Sequence, residues 1–168
     1  ALKASLRQGC LIFCGSGVMD IKSASEPSAN MAAIRSKNTK PEIIGRKALT
    51  AAGCRYRLNR SDIPGKPDIA MIGRRIAIFV HGCFWHAHAG CPRASVPSAH
   101  HAFWVEKLAR NKARDAAVRD KLLESGWRVL RVWECALRTK AERDAVGRKI
   151  RAWIESDARF GNIAGSRH

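Results

Sequence analysis

Eleven residues, His81 to Cys91 (HGCFWHAHAGC), constrain this chain more than any other part of it. Cys83, His88 and Cys91 stand in Cys-x4-His-x2-Cys order, three soft or borderline ligands at a spacing that suits zinc. A fourth is available at Cys135, at the end of the strand-like WRVLRVWEC. Three cysteines and one histidine make a closed structural site with no open position for water. Such a site would brace a loop that has little else to hold it, and so contribute directly to folding. The competing reading is three cysteines beside a histidine by coincidence. His81 and His86 are left unclaimed, next to Phe84 and Trp85.

The charge narrows the partners. Thirty-one Lys and Arg against fourteen Asp and Glu give a formal net charge of +17 and a pI near 10.6. That is the footprint of a phosphate-backbone partner, although a merely basic soluble protein of ribosomal type carries the same signal. A membrane is disfavoured, because no segment approaches the ~20 apolar residues of a span. Six cysteines in 168 residues are too sparse for a disulfide scaffold and point to a reducing, cytoplasmic setting. Cys54 reads as a small core residue, and Cys10 and Cys14 have no partner nearby.

Residues 1–30 read as a flexible N-terminal extension, Ser-, Ala- and Pro-rich from 22 onward. Met19 is available as an internal start, which leaves open whether residues 1–18 belong to the native product. One domain is expected over 31–157, followed by a tail, 158–168. Pro41 and Glu42 open a helix that ends at Gly53. Cys54 to Leu58 alternates like a strand, Asn59 to Lys66 is a turn-rich loop, and Asp68–Ile72 with Arg75–Val80 reads as a hairpin. After the zinc segment, Phe103 to Ser125 has helical spacing, with Trp104, Leu108, Val118 and Leu122 on one stripe. Trp127 to Trp133 is a further strand, and Val146, Ile150, Trp153 and Ile154 mark a last helix. The α-β-β-β-(zinc loop)-α-β-α order predicts an α/β fold, a mixed central sheet flanked by helices.

Several groups within this frame could carry chemistry. Pro67-Asp68 precedes a hairpin whose second strand ends Phe79-Val80-His81. Many metal-dependent nucleases set an Asp at the first strand and an acid-x-Lys triplet at the end of the next to hold Mg2+. Here Phe79 and His81 stand in place of the acid and the lysine. A Pro-Asp pair is also an ordinary turn. Glu42 could reach a metal-bound water, or serve only as an acid at a helix N-terminus. His86 and His81 could move protons or neutralise phosphate charge; each is otherwise a structural hydrogen-bonder. Phe84 and Trp85 on a braced turn could wedge between base pairs, with Met31 as a weaker second wedge, or could fill the core around the zinc. Lys107 and Asn111, four apart on one helix face, could address base edges, or be a solvated face.

With these residues assembled, the chain resembles the very-short-patch-repair (Vsr) DNA mismatch endonucleases. The resemblance spans Met31 to about Arg138 and rests on KPDIAMIGRRIAIFVHGCFWH, FWVEKLARNKARD and GWRVLRVWECALR, in order and spacing. It implies a restriction-endonuclease-like fold and a nick on the 5′ side of the thymine in a T:G mismatch. Double-stranded DNA with that mismatch would be the partner, with a functional link to a DNA-cytosine methyltransferase and a repair polymerase, in a monomeric bacterial cytoplasmic protein. By position, the resemblance makes Asp68 the Mg2+ carboxylate and His86 the main catalytic histidine, assisted by His81 and Glu42. Cys83, His88, Cys91 and Cys135 would hold structural Zn2+; Phe84, Trp85 and Met31 would intercalate; Lys107 and Asn111 would touch bases. Two departures stand out. Val80 replaces a threonine, so only a main-chain carbonyl could assist the metal there, and one extra residue falls within Ala89-Gly90. Two rivals remain: a related nuclease that cuts matched or modified DNA, and a non-catalytic zinc-containing DNA-binding module.

Overall fold

The computed structural model describes residues 38–51 and 53–165. Met31 and the N-terminal cysteines lie outside them. Helix α1 spans Lys40–Ala51. Four strands follow in the expected order: β1 Arg57–Leu58, β2 Ile69–Met71, β3 Ile76–His81 and, beyond helix α2 at His101–Glu124, β4 Arg128–Trp133. Helix α3 covers Lys140–Glu155. A fifth strand, β5 at Phe160–Ile163, falls within the stretch expected to be a tail. It pairs parallel to β4 from Val129↔Phe160 to Val132↔Ile163. Four residues with one glycine and one asparagine carry too little alternation to be seen, and neighbouring β4 supplies the missing drive.

The sheet runs β1-β2-β3-β4-β5 and is mixed. β1, β2 and β3 are antiparallel neighbours, whereas β3, β4 and β5 are parallel. The alternation foreseen from Cys54 yields only two paired residues, both exposed, because β1 is an edge with nothing to bury. Between β2 and β3 the chain turns through a short 3-10 segment, Ile72–Arg74, with Arg75 in the left-handed region at φ 50°.

Alternation along the strands sorts the core into two layers. Ile69, Ile76, Ile78, Leu130 and Val132 face α1 and α3, meeting Leu49, Val146 and Ile150. Gly45 lets α1 approach β3 closely, since a Cβ there would lie 3.4 Å from Val80. On the opposite face Ala70, Ala77 and Val129 meet Leu122 of α2, with Phe79, Val118 and Phe160 around them. Thr139 and Glu142 form a reciprocal capping box that starts α3.

Helix α2 has 24 residues, roughly 36 Å at 1.5 Å per residue, longer than the sheet needs. Its C-terminal half packs at Val118 and Leu122. The N-terminal half runs out over the loop that follows β3. Just past the midpoint, Arg114, Asp115, Val118 and Arg119 form one wall of a cleft.

Candidate active site

Parallel pairing of β3 with β4 explains how a distant cysteine joins a local cluster. His81 is in register with Trp133, so the two strands end side by side. Two residues beyond each end stand Cys83 and Cys135, both held at the same rim of the sheet. The turn after Cys83 folds back through His88 N–H to Cys83 O (2.9 Å) and Cys91 N–H to His88 O (3.2 Å). His88 Nδ1 then lies 3.5 Å from Cys83 Sγ and 3.6 Å from Cys135 Sγ. Tetrahedral zinc with Zn–S near 2.3 Å and Zn–N near 2.0–2.1 Å sets that separation at roughly 3.6 Å. Cys83, His88, Cys91 and Cys135 present donor atoms all within 4.8 Å of one another, a set that fits the ion. Burial, first of all, pushes the Cys83 thiol up to about 12, so coordination is what would make it a thiolate here. Trp133 stacks on the His88 ring at 3.9 Å and 8°, and the backbone N–H of Gly165 reaches Cys135 Sγ at 3.3 Å. A Cβ on Gly165 would meet Cys135 O at 2.5 Å, so only glycine lets the chain pass so close.

The same turn shapes the second constellation. A cleft of about 440 Å3 opens between α2 and the sheet, lined among others by Glu42, Asp68, His81, His86, Asp115 and Arg131. Asp68 enters it just ahead of β2 and accepts the Val80 N–H at 2.8 Å through one oxygen. Burial, and then the negative charge of Glu42, raise its carboxyl to about 6 despite the Val80 bond, Arg46 and His86. A buried acid held this high has no adequate counter-charge. Glu42 lines the same cleft, and two carboxylates facing a water-accessible space would suit a hard divalent cation that keeps much of its own water, as Mg2+ does.

Glu42 is itself buried and well engaged. It accepts Asn38 N–H (3.0 Å), Thr39 Oγ1–H (2.8 Å) and Arg46 Nη2–H (3.0 Å). Helix-start acid and cleft wall are thus one residue, and the two readings of it coexist.

His81 and His86 stack with ring centroids 3.7 Å apart at 16°. Their surroundings separate them. The His81 side chain is 8% exposed against 21% for His86. Burial, then the charge of His86, drive His81 down to about 3, against the pull of Asp115. Its Nδ1 is buried without a hydrogen bond among the described residues, 4.0 Å from Asp115 Oδ2. His81 is therefore neutral near pH 7, and His86 is the imidazole that the cleft can reach.

Asp115 escaped the sequence analysis. Its Oδ2 lies 2.5 Å from His86 Nδ1. Burial pulls this carboxyl upward, but the hydrogen bond from His86 and the charges of His86, His81 and Arg114 outweigh it, and the net shift is downward. An ionised carboxylate only accepts, so Nδ1 carries the proton and Nε2 is left as the acceptor. The signal that could have found Asp115 was its place four residues after Asn111 on one helical face.

Asn111, expected at base edges, donates through Nδ2 to Trp85 O at 3.0 Å. It ties α2 to the aromatic turn. Phe84 and Trp85 form an edge-to-face cluster with Trp104 of α2, at 5.2 and 5.9 Å, and stay partly exposed. Lys107 lies one turn before Asn111 on the same helix, likewise partly buried.

A basic cleft holding an acid pair and a carboxylate-braced imidazole is suited to hydrolysing a phosphodiester. Comparison with known proteins agrees. The family described as "DNA mismatch endonuclease Vsr" matches residues 19–93. The chain is 39% identical over 137 residues to the DNA mismatch endonuclease Vsr of Escherichia coli (strain K12), covering 80% of this chain and 87% of that protein. It is 47% identical over 107 residues to the type II nicking enzyme V.XorIIP of Xanthomonas oryzae pv. oryzae (64% and 78%). Against the nicking enzyme V.NmeAIP of Neisseria meningitidis serogroup A it is 41% identical over 133 residues (79% and 94%). The chain belongs to the Vsr DNA mismatch endonuclease family, and it is a DNA endonuclease, a hydrolase. Among the described residues no helix is long and apolar enough to cross a membrane.

Proposed function

We propose that this protein is an Mg2+-dependent nicking enzyme that cuts 5′ of the thymine in T:G mismatches left by 5-methylcytosine deamination. The observation that carries the reading is the joint placement of Asp68, Glu42 and the Asp115–His86 pair in one cleft. Asp68, with Glu42 behind it, would hold Mg2+, which supplies polarisation of the scissile phosphate and a more acidic bound water. His86 Nε2 takes the proton of the attacking water, and Asp115 keeps the ring in that tautomer and stabilises the imidazolium that results. His81, neutral and stacked beneath, positions His86 and excludes water from its underside.

Cys83, His88, Cys91 and Cys135 would hold structural Zn2+ and so fix the turn that carries Phe84, Trp85 and His86. The partly exposed aromatic pair would enter the duplex beside the mismatch, where opening it costs less. A DNA-cytosine methyltransferase and a repair polymerase would act before and after the nick, with the enzyme working as a cytoplasmic monomer.

The test is a strand-specific nicking assay on labelled duplexes bearing T:G, C:G or T:A at one position. Expected is Mg2+-dependent nicking confined to the T strand of T:G, abolished in Asp68→Ala with binding retained. Equal cutting of all three duplexes would favour a nuclease of matched DNA. Absence of cutting with any divalent metal would leave only a binding module.

A further inference from the structure

Four cations line the cleft, and they are not equivalent. Arg114 reaches Asp115 Oδ1 at 3.5 Å, Arg119 pairs with Asp120 at 2.8 Å, and Lys66 lies on an exposed turn. Arg131 is different. It projects from β4, paired across the sheet with Phe79, on the face that also carries His81 and Trp133. Among the described residues it has no hydrogen bond and no ion pair. Its guanidinium carbon sits 5.4 Å from the Trp133 ring and 5.6 Å from the Phe160 ring, while Arg119 lies over the same Phe160 at 5.4 Å.

Arg131 is half-buried, so its charge is partly withdrawn from water without a pairing acid. Burial lowers the Arg131 pKa, Asp115 counters this only in part, and Arg119 adds repulsion. A charge partly withdrawn from water ordinarily finds a partner. The acid nearest in effect, Asp115, is already engaged by His86 and Arg114. Two aromatic faces, however, hold the fork in place before anything binds, and a planar guanidinium matches two oxygens of a phosphate.

We propose that Arg131, braced by Trp133 and Phe160 and seconded by Arg119, binds a DNA backbone phosphate adjacent to the scissile one, on the β4–β5 side of the cleft. The inference rests on the endonuclease reading and adds a second anchoring point for the strand. Asp68 and His86 act on one phosphodiester, while Arg131 fixes the next. The apparent defect, an unpaired cation beside the catalytic imidazoles, is completed by the substrate.

Two neutral variants test this, Arg131→Met and Arg131→Gln; whichever is folded, by melting temperature and zinc content, carries the measurement. Binding is followed by fluorescence anisotropy without Mg2+, over a salt series. The probes are mismatched and matched duplexes in which single phosphates near the cut are replaced by neutral methylphosphonates. Arg131→Met should melt close to the wild type, since it keeps an apolar stem between the rings. Affinity should fall about 10-fold or more on mismatched and matched DNA alike, with the slope of log K against log salt reduced by about 1. One methylphosphonate position should weaken the wild type and leave the variant unaffected. A wild-type salt slope in the folded variant, or methylphosphonates that weaken both proteins equally at every position, would overturn the proposal. Nicking of the unmodified T:G duplex by the wild type, run separately with Mg2+, reports on the endonuclease reading alone.

Discussion

Asp68 is largely shielded in the cleft that Glu42 also lines, and the Arg46 guanidinium that could offset its charge hydrogen-bonds Glu42 instead. Its folded pKa of about 6 lies above the ordinary 3.8. Stability from keeping it protonated is fully present below 3.8 and is lost as pH rises through 6. Above that, the fold carries an ionised buried carboxylate. Asp68→Asn should therefore melt higher than the wild type at pH 7.5 without divalent metal, with the gap closing toward pH 4; a lower melting temperature at pH 7.5 would contradict the assignment. By the same titration, nicking at sub-saturating Mg2+ should fall as pH drops below about 6. His81 works in the opposite sense. Its folded pKa of about 3 lies below the usual 6.5, so its contribution is present above 6.5 and lost as pH falls toward 3. Asp115→Asn should lower the nicking rate about 10²-fold or more with DNA affinity kept, because the amide no longer enforces the Nδ1–H tautomer of His86. Full activity in that variant would remove Asp115 from the mechanism.

Helix α2 and the turn after β3 act as one device. The helix offers Trp104, Asn111 and Asp115 at intervals of seven and four residues. They meet Phe84 and Trp85, the Trp85 carbonyl, and His86 in turn. The aromatic cluster and the His86–Asp115 pair thus hang on a single helical face, and a shift of the turn moves both. If the aromatic pair wedges beside the mismatch, Trp85→Ala should cost one or two decades of mismatch-specific affinity, at ~1–3 kcal/mol per base–aromatic contact. Its salt-dependent binding to matched DNA should change little. Equal loss on both duplexes in a variant with wild-type melting would return the rings to a packing role.

The charge of +17 and the cluster of three cysteines and His88 set behaviour beyond any one element. One tightly held zinc per chain is expected, and a mild Mg2+ chelator should not remove it. Cys135→Ser should lower zinc content and melting temperature together, since the site ties the end of β4 to the turn after β3. Metal analysis finding no zinc in well-folded protein would refute the brace. It would also leave the position of His86 to α2 alone.

Helices α1 to α3, the β2–β3 hairpin, β4 and the local metal triad could be read from the chain, because each depends on near neighbours: period, turn chemistry and ligand spacing. Asp68, His81 and His86 were legible for the same reason, within one hairpin and the turn after it. Non-local pairing decided the rest. Cys135 joins Cys83 only because parallel β3 and β4 end in register at His81 and Trp133. β5 exists because β4 offers it an edge. Burial, a property of the folded surround, divides two stacked histidines into a neutral, enclosed ring and a more accessible one. Asp115 carries only a faint local mark, its place one turn after Asn111, and Arg131 carries none. On the chain they are one acid in a basic helix and one arginine in a strand. Folding brings the first against His86 and leaves the second unpaired in the cleft, because helix packing and strand register alone set which charges meet.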